Sequence, residues 1–471
     1  MSLHEKASLL RELPSIDELL AIEPFLAIAA EAGHPTAVRI ARASIETLRN
    51  EILAESVKQD REALVQRLSN IAKGLFVSET SGRVDRVINA TGVVIHTNLG
   101  RSVLSDPAVK ALGDNSGYCT LEYDINAGSR GKRGAGAESL ICELTGAEAA
   151  MIVNNCAAAA FLVLRVLAKG KDVIISRGEL VEIGGDFRIP DVLEESGANL
   201  REVGTTNRTK ITDYEKAISE TTSLLMRVHP SNYRVIGFTE SPTNVQLASL
   251  SHERNIPFFE DAGSGVLVDL SEFGLNEPTI SSSISDGVDL VAFSGDKLLG
   301  GVQAGFIVGR KDLIDAIRRH PLYRALRVDK LAYSAIEATL LSYARGTHFE
   351  DIPTLRMLAI KPEVIRERVK DFVLSLSGRV QIEILEGESV IGGGAAPDVK
   401  PKTWLISIAV DGRPASEIDS ILRASTPPVI GRIADDRFLL DLRTVLPSDQ
   451  PDLATAIESL LITNSEPRIP A

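Results

Sequence analysis

The sequence predicts an α/β protein: a mostly parallel sheet with helices on both faces, a helical unit before it and a small α+β unit after it. Three observations predict it. Between Lys171 and Val308, short apolar runs alternate with helix-patterned stretches, the order that builds a parallel sheet through helical crossovers. Residues 1–80 carry helical periodicity. The apolar runs Val288–Phe293 and Phe306–Val308 bracket a glycine-rich loop that holds one lysine, Lys297.

The chain has 471 residues, a length that suits about three domains, taken as 1–80, 81–345 and 346–471. With 44% hydrophobic residues it can bury a sizeable core. No run of about eighteen apolar residues occurs, so no membrane span is expected. The opening MSLHEKASLLRELPSIDELL is charged throughout and lacks an apolar signal core. Cys119, Cys142 and Cys156 are too few and too scattered for a disulfide framework or a zinc site. The seven histidines show no ligand spacing, so no metal is expected, and a reducing cytoplasm is the expected compartment. Fifty-one Lys and Arg against 64 Asp and Glu leave a net charge of −13, which argues against a generic nucleic-acid coat but permits a local basic site.

Along the chain, Ser15-Ile-Asp-Glu18 is a capping box before a short helix. Thr36 is placed to cap a longer helix from about Ala37 to Ser69, with Val38, Ala41, Ile45, Leu48, Ile52, Leu64 and Leu68 on its apolar face. Arg39, Arg42 and Arg49 share another face. With nine Lys/Arg against twelve Asp/Glu in residues 1–80, charge alone reads that face as solvated rather than phosphate-binding. From Arg83 to Arg101 the pattern is strand-like, broken at Thr91-Gly92, and ends in polar residues of the kind that gather at binding sites. His96 within it reads equally as a satisfied buried imidazole or as a contact group. Ala127-Gly-Ser-Arg130-Gly-Lys132-Arg133-Gly134 sets cations among glycines, a loop suited to an oxyanion.

A helix over Glu138–Thr145, a strand over Ala149–Val153 and a helix from Asn154 to Leu167 follow. The turn of small residues at Asn155-Cys156-Ala157 is where a phosphate can rest on a helix N-terminus. Strands are expected at Val173–Ser176, Ala198–Val203, Ser223–Val228, Pro257–Glu260 and Leu290–Phe293, with helices at Tyr214–Glu220 and Val245–Arg254. The polar stretches 177–182, 204–208 and 229–233 then fall at the carboxyl ends of strands, where functional side chains collect. Past Arg310, Arg324 and Arg327 stand one helical turn apart. The last unit, from about Arg345, has a helix near Pro362–Leu376, strands at Val380–Leu385, Trp404–Val410 and Phe438–Leu442, and a flexible loop at Gly392–Pro397.

A lysine in a loop is ordinarily a solvated amine. Three neighbours give Lys297 another reading. Ser294 stands where a hydroxyl reaches a phosphate, and the flanking glycines offer bare N–H groups to the same anion. Upstream, Phe258–Asp261 is a strand ending in an acid, followed by the glycine-rich Ala262-Gly-Ser-Gly265. Asp261 precedes Lys297 by 36 positions (297 − 261), room for one helical crossover. A Schiff-base lysine, with an acid to keep a pyridine nitrogen protonated, is what pyridoxal phosphate requires. The spacing is that of the fold-type-I pyridoxal-phosphate enzymes.

These residues lie inside longer motifs. RELPSIDELL stands near the start, then RVINATGVVIHTNLGRSVL (86–104), LEYDINAGSRGKRG (121–134), TGAEAAMIVNNCAAA (145–159), SRGELVEIGGDFRIPDV (176–192), EVGTTNRT (202–209), VHPSNY (228–233), DAGSG (261–265) and SGDKLLGGVQAG (294–305). On them the chain resembles, nearly end to end, the bacterial selenocysteine synthases, the L-seryl-tRNA(Sec) selenium transferases. The resemblance implies that Lys297 holds pyridoxal phosphate as an internal aldimine, with Asp261, Ser294, Asn155, Cys156 and Ala157 also binding the cofactor. It implies that seryl-tRNA(Sec) displaces the lysine, which then removes the α-proton. Hydroxide leaves to give an aminoacrylyl intermediate, and selenophosphate supplies selenium to form selenocysteinyl-tRNA(Sec). Asp296 is implied as the residue that polarises the leaving hydroxyl or positions Lys297. Arg101, Arg130, Arg133, Arg324 and Arg327 are implied as the selenophosphate pocket. Arg443 is read as structural or as a contact to the tRNA acceptor end.

The family further implies a homo-oligomer in which dimers form a ring, here a decamer. Active sites lie at dimer interfaces, the N-terminal helices grip the tRNA, and Thr205 and Thr206 lie near contacts between dimers. The chain departs from the family pattern at Val302, usually proline, at Cys156, usually asparagine, and at Gly134–Ala137, usually more polar and often containing histidine. A pyridoxal lyase or transferase acting on a free amino acid or amino sugar phosphate is the second reading. It is disfavoured by the N-terminal helices and the arginines. A tRNA-binding scaffold without chemistry is the third, disfavoured because Lys297 and Asp261 are both present.

Overall fold

The computed structural model describes residues 9–54, 61–80, 84–183, 187–230, 232–376 and 380–460. Residues 55–60 of the expected long helix, residues 184–186 of the 176–192 motif and Ser231 lie outside them. The chain forms two compact units, Met1–Arg86 and Val87–Ala471.

The first unit is helical. The capping box forms: the Glu18 N–H donates to Ser15 Oγ at 3.2 Å, and the Ser15 N–H donates to Glu18 Oε2 at 2.8 Å. The expected single helix over 37–69 is instead two helices, His34–Ala54 and Arg61–Thr80. Thr36 is not its cap. It lies inside the first helix, and its hydroxyl donates back to the Ala32 carbonyl. Ala37, Ile40, Ile45, Leu48, Leu64 and Leu68 form the buried seam between the two, with Leu19, Phe25 and Ile28 packed on it. Arg39 pairs with Glu79 while Arg42 and Arg49 are exposed, so this face is solvated, as its charge balance indicated.

In the second unit seven strands form the central sheet: β1 (Ala149–Val153), β2 (Asp172–Ser176), β3 (Asn199–Val203), β4 (Thr222–Val228), β5 (Phe258–Gly263), β6 (Leu290–Ser294) and β7 (Gly305–Gly309). Their order is β1-β7-β6-β5-β4-β2-β3. Strands β3, β2, β4, β5 and β6 run parallel, joined by helical crossovers, and β7 inserts antiparallel between β6 and β1. Alternate residues feed two cores. Phe258, Val291 and Phe293 face one helix layer, and Phe259, Leu290 and Ala292 face the other. Phe293 and Phe306 stack in parallel at 4.9 Å across β6 and β7, which closes the Lys297 loop at its base.

A second, antiparallel sheet of Gln381–Glu388, Lys402–Ala409, Arg437–Asp441 and Arg432–Ala434 packs on the helices Pro362–Ser375, Ala415–Arg423 and Gln450–Ser459. The stretch before the main sheet is stitched to this region. Ile88–Asn89 pairs with Val429–Ile430, and Val93–Ile95 pairs with Val390–Gly392. The glycine run expected as a loop therefore begins as a strand. A Cβ on Gly392 would lie 2.6 Å from the Ile95 carbonyl oxygen, so only glycine allows this pairing.

Arg443 resolves as structural. Its side chain is buried, and its guanidinium donates to Ser389 Oγ and to the carbonyls of Met357, Ile360 and Lys402. Among the described residues, no helix is long and apolar enough to cross a membrane.

Candidate active site

Four elements converge on Lys297. Strand β6 ends at Ser294, and the chain then turns through Gly295 and Asp296 to Lys297, with all of these side chains buried. Gly301 N–H donates to the Gly295 carbonyl, which closes the loop over the strand end. The Ser102 hydroxyl lies 2.8 and 2.6 Å from the Asp296 and Lys297 carbonyl oxygens and pins the loop from outside. Arg101 donates to Asp296 Oδ2 at 2.8 Å. To do so, Arg101 adopts a left-handed backbone with φ of 65°, held by its N–H bond to the His96 carbonyl. A non-glycine residue there costs roughly 1–2 kcal/mol, a strain typical of positions that must aim a side chain.

Asp261, in β5, lies one strand across from β6 and is buried beside Cys156. Burial raises its carboxyl above the usual range, opposed by the Cys156 thiol, which donates to Oδ1 at 3.4 Å, by nearby Lys297 and by the Gly263 N–H. Burial and the neighbouring carboxylate push the Cys156 thiol well up, so it stays a protonated donor. Cys156 opens the helix Cys156–Leu167, and Asn155 caps it by accepting the Ala158 N–H at 2.8 Å. The Ala159 N–H is taken by the Asn155 carbonyl, so the N–H groups of Cys156 and Ala157 are the ones free to meet an anion among the described residues. Gly305 permits the approach of β7, because a Cβ there would lie 2.0 Å from the Asn155 carbonyl oxygen. A buried acid, a buried lysine and a helix N-terminus at one strand end fit pyridoxal phosphate in ring nitrogen, aldehyde and phosphate respectively.

The arginines fall into three places within this chain. Arg101 is beside Lys297 through Asp296. Arg133 and Arg327 come together: Arg133 donates to the Val328 carbonyl at 2.7 Å, and Arg327 bridges to Val153 at the end of β1. Both have a buried Nε without a protein partner. Arg130, whose side chain is 81% exposed and paired to Glu122, and exposed Arg324 stand on the surface. Arg324 and Arg327 do not share one helix, because the helix Leu322–Ala325 ends before Arg327. At Gly134 a Cβ would clash with the Tyr333 ring, so Tyr333 occupies the space that a larger residue at position 134 needs. His96 is not a satisfied imidazole: its Nδ1 is buried without a partner, and burial lowers its pKa.

Sequence reasoning missed Ser102, whose hydroxyl has no local signature. The polar stretch 177–182 does sit at a strand end, but its pairing was not foreseen: in a buried polar cluster at the ends of β2 and β4, Glu179 lies 3.5 Å from Arg227 and accepts the Val228 N–H. Burial dominates there and raises the Glu179 carboxyl to about 7, against the lowering by Arg227. A folded pKa of about 7, above the ordinary 4.5, means that this carboxyl's stabilising contribution is full below 4.5 and lost as pH rises through 7. The stability of Glu179→Gln relative to wild type, measured by urea unfolding, is therefore expected to improve by roughly 2–3 kcal/mol between pH 5 and pH 8.

Residues 87–446 match the family described as L-seryl-tRNA selenium transferase, and residues 10–49 match that described as Selenocysteine synthase N terminal. The L-seryl-tRNA(Sec) selenium transferase of Geobacter sulfurreducens is 46% identical over 95% of this chain and 98% of its own length. That of Aquifex aeolicus is 44% identical over 96% and 99%. Among solved structures, a D-glucosaminate-6-phosphate ammonia-lyase covers 83% of this chain and 99% of its own, with a TM-score of 0.57 at 19% identity, a likeness of fold. The sheet order, the buried Lys297 and Asp261, and the match along both units lead to one conclusion: the chain belongs to the L-seryl-tRNA selenium transferase family.

Proposed function

We propose that the chain binds pyridoxal phosphate on Lys297 and converts seryl-tRNA(Sec) to selenocysteinyl-tRNA(Sec), with selenophosphate as the selenium donor. The activity is that of its family; the residue roles, the donor and the assembly are our reading. The observation that carries it is the burial of Lys297 and Asp261 at adjacent strand ends, with Arg101 and Asp296 at the lysine.

Bound there, the cofactor supplies an electron sink for charge developing at the serine α-carbon. Asp261 holds a proton at the ring nitrogen, and the N–H groups of Cys156 and Ala157, with Asn155 and Ser294, hold the phosphate. The Lys297 amine takes the α-proton from a bound serine. Asp296, oriented by Arg101, faces the departing hydroxyl. Arg101, Arg133 and Arg327 offer planar forks to selenophosphate, with the unpartnered Nε atoms of the last two as donors in waiting. Exposed Arg130 and Arg324 complete that pocket across a subunit interface. Dimers assemble into a ring, a decamer, with exposed Thr205 and Thr206 near the contacts between dimers. The helical unit grips the tRNA, and the enzyme works in the cytoplasm. Its match to the family's N-terminal region favours this over a lyase acting on a free amino acid.

The test is transfer of labelled selenium from selenophosphate to seryl-tRNA(Sec) by the purified protein. Label in the aminoacyl ester is the expected result. A yellow, cofactor-loaded protein that transfers nothing overturns the reading.

A further inference from the structure

A cavity of about 500 Å³ opens at the carboxyl ends of β2, β4 and β5, lined by Glu179, Arg208, Arg227, His229 and Glu277 among others. It adjoins the Lys297 site, because the His229 N–H donates to the Asp261 carbonyl at 2.9 Å. Its size is that of a small-molecule site. Its charge disfavours a free oxyanion: five acidic residues (Glu179, Glu240, Glu260, Glu277, Asp398) face three arginines (Arg208, Arg227, Arg234). Each arginine is already engaged, Arg208 by Glu240, Arg227 by Glu179 and Asn244, and Arg234 by Asp398.

Three buried polar atoms on this wall have no protein partner: His229 Nδ1, Glu277 Oε2 and Arg208 Nε. Glu277 Oε1 already accepts the Ala396 N–H at 3.0 Å, which fixes the carboxylate, while Oε2 is left without a protein partner. Arg208 lies 4.1 Å over the Phe238 ring, so its guanidinium is held as a flat plate. Pro230, Val235, Pro278 and Val399 add apolar patches to a wall that also carries Thr206, Asn207, Ser241 and Asn276. An uncharged ligand with a flat ring and a hydroxyl suits such walls.

We infer that the cavity receives the terminal nucleoside of the tRNA acceptor end, with its base on the Arg208 plate and the free ribose hydroxyl beside the ester donating to Glu277 Oε2. This rests on the proposed seryl-tRNA substrate and names where its last residue sits. The nucleoside then lies one strand from Asp261, so the seryl group it carries is directed toward Lys297.

The test is a two-by-two comparison of kcat and KM. Wild type and Glu277→Gln are each assayed with seryl-tRNA(Sec) ending in adenosine and in 2′-deoxyadenosine. Loss of a hydrogen bond to a charged group is expected to raise KM by about tenfold or more. The deoxy substrate should show this on wild type, Glu277→Gln should show it on the ordinary substrate, and the two together should cost no more than either. Penalties that multiply, or a deoxy substrate that wild type handles normally, overturn the inference while selenium transfer stands. The altered tRNA leaves the protein's folding untouched, so misfolding of the variant does not decide the outcome. Wild type that transfers no selenium even to the ordinary substrate overturns the proposed function, and this inference with it.

Discussion

Replacing Lys297 with alanine is expected to abolish selenium transfer, by at least about 10⁴-fold in kcat, and to leave the purified protein colourless. Lys297 is the buried amine at this strand end, its carbonyl held by Ser102, and its removal takes away both the proposed covalent anchor and the proposed base. The side chain contributes little to the cores on either face, so the fold should survive. Circular dichroism and oligomer size matching wild type separate lost chemistry from lost structure. An alanine variant that keeps its colour and its transfer rate removes Lys297 from the site.

Asp261→Asn is expected to lower kcat by about 10²–10³-fold while the protein still binds pyridoxal phosphate. The carboxyl is buried, receives the Cys156 thiol and the Gly263 N–H, and lies near the Lys297 amine. Asparagine matches its shape and can still accept those bonds, but it cannot hold a ring nitrogen protonated. The loss should therefore appear in kcat and in the absorbance of the bound cofactor, with cofactor affinity reduced far less. A variant that keeps full kcat assigns the ring-nitrogen role to another group.

The sequence marked the proposed cofactor residues more fully than their electrostatic surroundings. Lys297, Asp261 and the Asn155–Ala157 turn were legible because each sits on a local pattern: a strand ending in an acid, a lysine in a glycine-rich loop, small residues opening a helix. Six of the seven sheet strands fall within two residues of where apolar runs place them, because buried parallel strands need continuous Val, Ile, Leu and Phe. Sequence reasoning misses the division of the first long helix, because it sets Ile52, Leu64 and Leu68 on one apolar face although residues 55–62 between them hold a single apolar residue, Val57.

The arginines show the limit most plainly. All were named from sequence, yet Arg443 is locked among backbone carbonyls, Arg130 is on the surface and Arg101 is at the lysine. An arginine's long side chain carries no local signal of its partner, so only the fold could sort them.

By itself the sequence determined the fold class and the family, and it singled out Lys297 and Asp261 as the proposed cofactor residues, since these rest on local periodicity and contiguous motifs. Only the tertiary structure decided that Arg101 and Ser102 hold the Lys297 loop, that Tyr333 fills the space at Gly134, and that Glu179, Glu277 and His229 share one cavity. Each of those contacts joins residues far apart in the chain, brought together by burial of the strands between them. Burial also raises the Glu179 carboxyl, through the loss of water around it.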